Sequence, residues 1–202
     1  MAASTLEGFR ADEGWRQLVR EIEVKYWVED LEALLIALKL RGVELSEPVF
    51  QDDQAYAPAG WQFGDSKLGV SFLRLRTVDD HHYFTLKQPT DSAQDCLEYE
   101  TQVADRQAMH HAAIYMGYRP TVRIAKTRRV ATLDNCSLCV DEVEGVGRFL
   151  ELERMAPDGT DTQAVQADLA ALVSSLGVAA TRTAQTYDSL VHAAQEQSNY
   201  ST

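Results

Sequence analysis

Residues 20–28, REIEVKYWV, alternate in type, with Ile22, Val24 and Tyr26 on one side and Glu21, Glu23 and Lys25 on the other. A period of two marks a β-strand. One charged strand face is ordinarily turned to water. Here the pattern returns along the chain as Arg74 with Arg76, Thr85 with Lys87, Glu98 with Glu100, Lys126 with Arg128, Asp141 with Val143, and Glu151 with Glu153. The opposite faces carry Leu73 and Leu75, Phe84 and Leu86, Tyr99, Val140, and Leu150 and Leu152. A sheet with helices over its apolar face and charge on nearly every strand of the other face is stable only if the charged face holds water and ligand. Closing the sheet into a barrel supplies that cavity.

The other elements fit such a plan. From Glu29 the period lengthens, placing Leu31, Leu34, Leu35 and Leu38 on one side of a helix that stops at Gly42. Pro48, Pro58, Gly60 and Gly64 bracket a short strand, Val49 to Tyr56, and a long turn. Strands are expected at 69–77 and 82–88, joined through Asp79, Asp80 and His81, and again at 96–103. A helix over 104–117 ends at Gly117, and strands follow at 120–132, 136–144 and 148–155. Helical patterns close the chain at 162–177 and 184–193. Seven or eight strands joined mostly by hairpin-length connections predict an α+β fold. Residues 1–18 read as an N-terminal extension, 19–195 as one domain, and 196–202 as a flexible tail.

A formal charge of −12 speaks against general nucleic-acid binding, which depends on neutralising phosphates with Lys and Arg. No apolar run approaches the roughly 20 residues that cross a bilayer, and the start MAASTLEGFRADEG lacks a basic then apolar leader. A cytoplasmic location is expected, with no membrane partner. Cys96, Cys136 and Cys139 are too few for a disulfide framework, and the C-x-x-C of Cys136 and Cys139 has no second pair to complete a zinc site.

Carboxylates suit Mg²⁺ or Mn²⁺, which keep coordination positions for water and phosphate. Arg forks and Lys ammoniums complement phosphate oxygens. Both sets in one cavity are the equipment of phosphoryl chemistry, where positioning and charge stabilisation dominate. The string EIEVKY resembles the E-x-E-x-K signature of the CYTH superfamily, the triphosphate tunnel metalloenzymes. Successive blocks continue the likeness: FLRLR at 72–76, FTLKQP at 84–89, LEYE at 97–100, VRIAKTRR at 122–129, CVDEVEGVGRFLELE at 139–153 and TYDSL at 186–190.

This resemblance implies a closed eight-stranded antiparallel β tunnel with helices packed outside. It implies metal, Mg²⁺ or Mn²⁺, on Glu21, Glu23, Asp141, Glu151 and Glu153, and phosphate on Lys25, Arg74, Arg76, Lys87, Lys126 and Arg128. Lys25 and Lys87 are the expected catalytic cations, and Glu98 and Glu100 a further pair for metal or substrate orientation. Arg123 and Arg129 have the opposite parity to Lys126 and Arg128 and are expected to face outward. His81, His82, His110 and His111 match no family position, whereas Trp61 and Phe63 lie in a loop suited to a tunnel mouth.

The implied partner is a small molecule bearing a triphosphate, bound by a monomer or homodimer. Family members hydrolyse tripolyphosphate, thiamine triphosphate or nucleoside triphosphates, or cyclise ATP to cyclic AMP and pyrophosphate. The His-Phe element that bacterial cyclases carry before E-x-E-x-K is absent from EGWRQLVREIEVK, which favours a phosphohydrolase. Class IV-type adenylyl cyclase and a non-catalytic polyphosphate- or nucleotide-binding module are the alternatives.

Overall fold

The computed structural model describes residues 19–200, so the extension expected at 1–18 lies outside the described residues. Strand β1 (Val19–Val28) is followed by helix α1 (Leu31–Leu40), then by β2 (Val49–Pro58), β3 (Phe72–Val78), β4 (His81–Ser92) and β5 (Asp95–Val103). Helix α2 (Arg106–Tyr115) leads into β6 (Tyr118–Leu133), β7 (Cys136–Val143) and β8 (Gly147–Pro157). The chain ends with α3 (Thr162–Ser175), β9 (Ala180–Thr183) and α4 (Tyr187–Tyr200).

All pairings are antiparallel, in the order β5-β4-β3-β2-β6-β7-β8-β1-β9. One further pairing, Arg20 to Leu97 through Ile22 to Asp95, joins β1 to β5 and closes eight strands into a barrel. The ninth strand takes the other half of the same β1 edge, from Lys25 opposite Thr183 to Val28 opposite Ala180. The expected eight-stranded α+β tunnel is therefore present, with one extra strand. ATRT was missed because four residues are too few to display alternation.

Turn chemistry sets the registers. Asp134 and Asn135, at φ 47° and 62°, form a two-residue hairpin loop between Leu133 and Cys136, a conformation that Asn and Asp tolerate. Gly147 opens β8 where a Cβ would sit 2.9 Å from the Trp27 ring, so a side chain there would push into the barrel end. Strand β3 starts at Phe72 rather than 69 because Gly69, at φ 73°, turns the chain first. Strand β4 continues past 88 to Ser92, with its register shifting between Pro89 and Ser92, where proline cannot donate to the ladder.

The outward faces are apolar as the alternation requires. Helices α1 and α3 bury Leu34, Leu38, Leu169 and Val173 against Ile22, Val24, Leu150 and Leu152. Each such side chain contributes about 1.5–3 kcal/mol by leaving water. Asp30 caps α1 by accepting from the Ala33 amide, and Asp105 and Asp161 cap α2 and α3 in the same way. Helix α2 covers Tyr56, Leu73 and Leu75 on the far side. Helix α4 runs beyond the expected 184–193 and takes in most of the tail expected to fray. No helix among the described residues is long and apolar enough to cross a membrane.

Candidate active site

Because side chains alternate, the inward faces of the strands form one lining. Near one end that lining turns apolar: Trp27, Phe149, Ile124, Val122 and Val143 continue the same parities as Lys25, Glu151, Lys126 and Asp141. Trp27 and Phe149 pack with ring centroids 4.3 Å apart, and Leu190 and Val191 of α4 close over them. The charged stretch thus lies in a chamber closed at this end. A cavity of about 170 Å³ is bordered by all six expected cations and by Glu21, Glu23, Glu151 and Glu153.

The carboxylates do not share one environment. Oxygens of Glu21, Glu23 and Glu153 converge within 4.8 Å of one another, and Cys139, Glu151 and Glu153 form an overlapping group. Glu21 has a cation of its own, Lys87 at 3.0 Å, and Glu23 has Lys25 at 3.4 Å. The Glu153 carboxylate makes neither an ion pair nor a hydrogen bond among the described residues. Burial, with Glu21 and Glu151 close by, pushes its carboxyl up to about 8. Three converging carboxylates, one without any protein partner, are a donor set that fits a hard divalent cation.

Glu151 sits deeper and is held by Lys25 at 3.0 Å on one oxygen and by Arg128 on the other. Burial raises its proton affinity, but Lys25 and Arg128 outweigh this and bring it to about 2. It bridges the metal-ligand candidates and the cations. Asp141, expected among the metal ligands, lies outside the two converging groups. Fully buried, it accepts from Arg128 at 2.7 Å, Lys126 at 3.0 Å and the Tyr187 hydroxyl at 2.8 Å. Both oxygens are engaged by protein groups, and through them it holds two cations in place. Despite its burial, those cations keep its carboxyl far below the usual range.

The other expected acids stand on β5, the strand that pairs with β1 beside Glu21. Glu98 lies 2.6 Å from Lys87 and 3.4 Å from Arg74, while Glu100 accepts from Thr85 at 2.8 Å and Arg74 at 3.0 Å. Both are counter-ions of cations outside the converging trio, and Glu98 also meets Glu21. Arg123 faces outward as its parity requires, paired with Asp52 at 2.7 Å. Cys136 and Cys139, three apart on β7, point to opposite faces, Cys136 into the outer core and Cys139 into the barrel, so they cannot clasp one ion or close a disulfide. Burial pushes the Cys96 and Cys139 thiols up to about 12. In the folded protein they should react with iodoacetamide at pH 8 about a thousandfold more slowly than in urea. Mass spectrometry of the labelled thiols checks this, and equal rates would contradict their burial.

Three contributors were not singled out from the sequence as site residues. Asp53 receives a two-point grip from Arg76, at 2.7 Å on each oxygen. Tyr187 lies beneath Lys25 and Lys126, whose ammoniums are 4.2 and 4.8 Å from its ring centroid. Lys67 comes from the loop after β2 and borders the same cavity. The TYDSL string was the available signal for Tyr187, whereas nothing in residue spacing marked Lys67 or chose between Asp52 and Asp53.

The cations differ in proton affinity. Burial opposes charge on Lys25 and Lys87, but Glu23 and Glu151 around the first, and Glu21 and Glu98 around the second, raise both above the usual lysine range. Lys126 is the exception. Burial and the neighbouring Arg128 outweigh Asp141 and Glu151, leaving it at about 8.

Comparison with known proteins agrees with this architecture. The family described as CYTH domain matches residues 19–187. A protein named putative adenylate cyclase from Methanocaldococcus jannaschii is 24% identical over 160 residues, covering 78% of this chain and 90% of its own length. A conserved hypothetical protein from Pyrococcus furiosus has the same fold at a TM-score of 0.68 and 22% identity, over 84% of this chain and 99% of that one. A putative adenylyl cyclase from Hippeastrum, described as having a dominant triphosphatase activity, aligns at a TM-score of 0.57 and 18% identity, over 83% and 92% of the two chains.

Proposed function

The chain belongs to the CYTH domain family, and on that premise we propose that it is a divalent-metal-dependent phosphohydrolase acting on a triphosphate-bearing small molecule. The observation that carries this reading is the division of one cavity into a carboxylate cluster lacking enough cations and a facing group of six basic side chains. A pure anion site gains nothing from carboxylates that repel its ligand unless metal bridges them.

In this reading Glu21, Glu23 and Glu153 hold Mg²⁺ or Mn²⁺, with Glu151 behind them joining metal side to phosphate side. The bound metal supplies charge neutralisation at the phosphate oxygens and a site for orienting the attacking oxygen. Arg74, Arg76 and Arg128 present planar forks, each already aimed by a carboxylate, so little side-chain freedom is lost when phosphate arrives. Lys25 and Lys87 stand where the carboxylates meet the basic group, and their raised proton affinity keeps them charged. They act as fixed cations for charge that develops at the reacting phosphoryl group, not as proton acceptors.

One observation favours a second reading, adenylyl cyclisation: the name carried by the Methanocaldococcus relative. Both reactions use the same metal and phosphate contacts. Incubation with Mg²⁺ or Mn²⁺ and either tripolyphosphate or ATP separates them by product. Inorganic phosphate release is expected from at least one of these, with no cyclic AMP by mass spectrometry. Cyclic AMP with stoichiometric pyrophosphate and no phosphate would replace the hydrolase reading with the cyclase one. No turnover, with metal-dependent binding retained, would leave a binding module.

A further inference from the structure

At its closed end the cavity is bordered by a contact between two pieces that belong to no barrel strand. The Lys67 ammonium, in the segment between β2 and β3, lies 2.9 and 2.7 Å from the two oxygens of Asp188 and 2.6 Å from the Thr186 hydroxyl. The Lys67 and Asp188 side chains are only 14% and 18% exposed. Three more contacts seat the segment. Phe63 stacks on His192 of α4 at 3.8 Å between centroids and 10° between planes. Arg119 of β6 donates to the Trp61 carbonyl at 2.8 Å, and the Trp61 indole donates to the Ser66 carbonyl at 3.1 Å.

Between Thr186 and Asp188 stands Tyr187. Its ring supports Lys25 and Lys126, and its hydroxyl reaches Asp141, which itself holds Lys126 and Arg128. Lys67 therefore grips the residues on either side of the one aromatic side chain that touches the basic group from the helix. A largely buried ion pair is a weak source of net stability, because desolvation offsets most of its attraction. What such a pair provides here is a fixed position.

We propose that the segment 59–71 is a latch on α4, and that Lys67 is a positioning residue which, through Thr186 and Asp188, holds Tyr187 against the phosphate-binding cations. The proposal rests on the phosphate reading of the cavity. It adds that the strength of the grip is set by a segment that belongs to no barrel strand and makes no ion pair with the carboxylate trio among the described residues. Loosening the latch should weaken phosphate binding while sparing the metal.

The test compares the full-length wild-type protein with Lys67→Met, Asp188→Asn and the conservative Lys67→Arg. In hydrogen–deuterium exchange without any ligand, α4 amides from Leu190 onward should exchange about tenfold faster in Lys67→Met and Asp188→Asn, with α1 and α3 unchanged. Lys67→Arg should stay close to wild type. In calorimetric titrations, Lys67→Met should bind metal-free tripolyphosphate about tenfold more weakly and Mn²⁺ alone within about twofold of wild type. Unchanged α4 exchange in Lys67→Met overturns the latch, even if phosphate affinity falls, because Lys67 would then be a direct phosphate ligand. Equal losses for phosphate and Mn²⁺ overturn it as well, showing general damage to the barrel. If the wild type binds no tripolyphosphate, the phosphate reading fails, while α4 exchange still decides whether Lys67 fastens the helix.

Discussion

Replacing Glu23 and Glu153 together by Gln is expected to abolish metal-dependent turnover, by at least about 100-fold, while making the protein more resistant to heat. The two effects have one cause. Glu153 is a carboxylate without a protein cation, crowded by Glu21, Glu23 and Glu151, and its proton affinity is raised to about 8 by burial and those neighbours. A carboxyl whose folded value lies above its unfolded one, about 4.3, withdraws stability as pH rises from that value towards 8. Neutralising it removes the repulsion and leaves an amide of the same shape.

At pH 8 without metal, Glu153→Gln should raise the melting temperature by about 4–8 °C, as about 2 kcal/mol would in a chain of this size. The gain should shrink towards pH 5, where the wild-type group is already protonated in the folded state. Excess Mn²⁺ should narrow the gap by stabilising the wild type through binding. Thermal melts at the two pH values with and without Mn²⁺, beside phosphate-release assays, check the set. A double variant that loses stability and keeps turnover would show that these carboxylates belong to the scaffold and not to a metal site.

The parts of this site that were legible in the sequence are those that period-two alternation exposes. Glu21, Glu23 and Lys25 share one face of β1 and Lys126 and Arg128 one face of β6, so closure of the sheet forced them inward together. Alternation says which face a residue takes but not which neighbour it meets across the barrel. Asp141 shows the difference: its parity turns it inward with the other acids, while its register opposite Arg128 and the arrival of Tyr187 engage both oxygens away from the converging trio. In VFQDDQAY two adjacent acids give no preference, and the fold uses both, Asp53 inward on Arg76 and Asp52 outward on Arg123. Lys67 and Tyr187 come from a loop and a helix end, where no strand period exists to reveal direction.

Asp141→Ala is expected to be the most damaging single substitution in the barrel. The carboxylate is fully buried and is the common acceptor for Lys126, Arg128 and Tyr187, so its removal deprives two largely buried cations and a hydroxyl of their shared partner. Breaking a buried charge network from one side costs about 3–5 kcal/mol. That corresponds to a melting temperature lower by about 6–20 °C for a domain of this length. Because the folded carboxyl is held below its unfolded value, the wild type enjoys this stabilisation above about pH 4 and loses it as pH falls further. The difference between wild type and variant should therefore be largest near neutrality and close under acid.

The same variant offers a second reading of the cavity. With Asp141 gone, Lys126 and Arg128 keep Glu151 as a carboxylate neighbour, and an added anion can take the vacated position. Millimolar tripolyphosphate should then recover more melting temperature in Asp141→Ala than it adds to the wild type, since the ligand supplies the missing counter-charge as well as its own binding. Equal increments in the two proteins would mean that the phosphate chain does not reach these cations, and that Asp141 stabilises the barrel without shaping its grip.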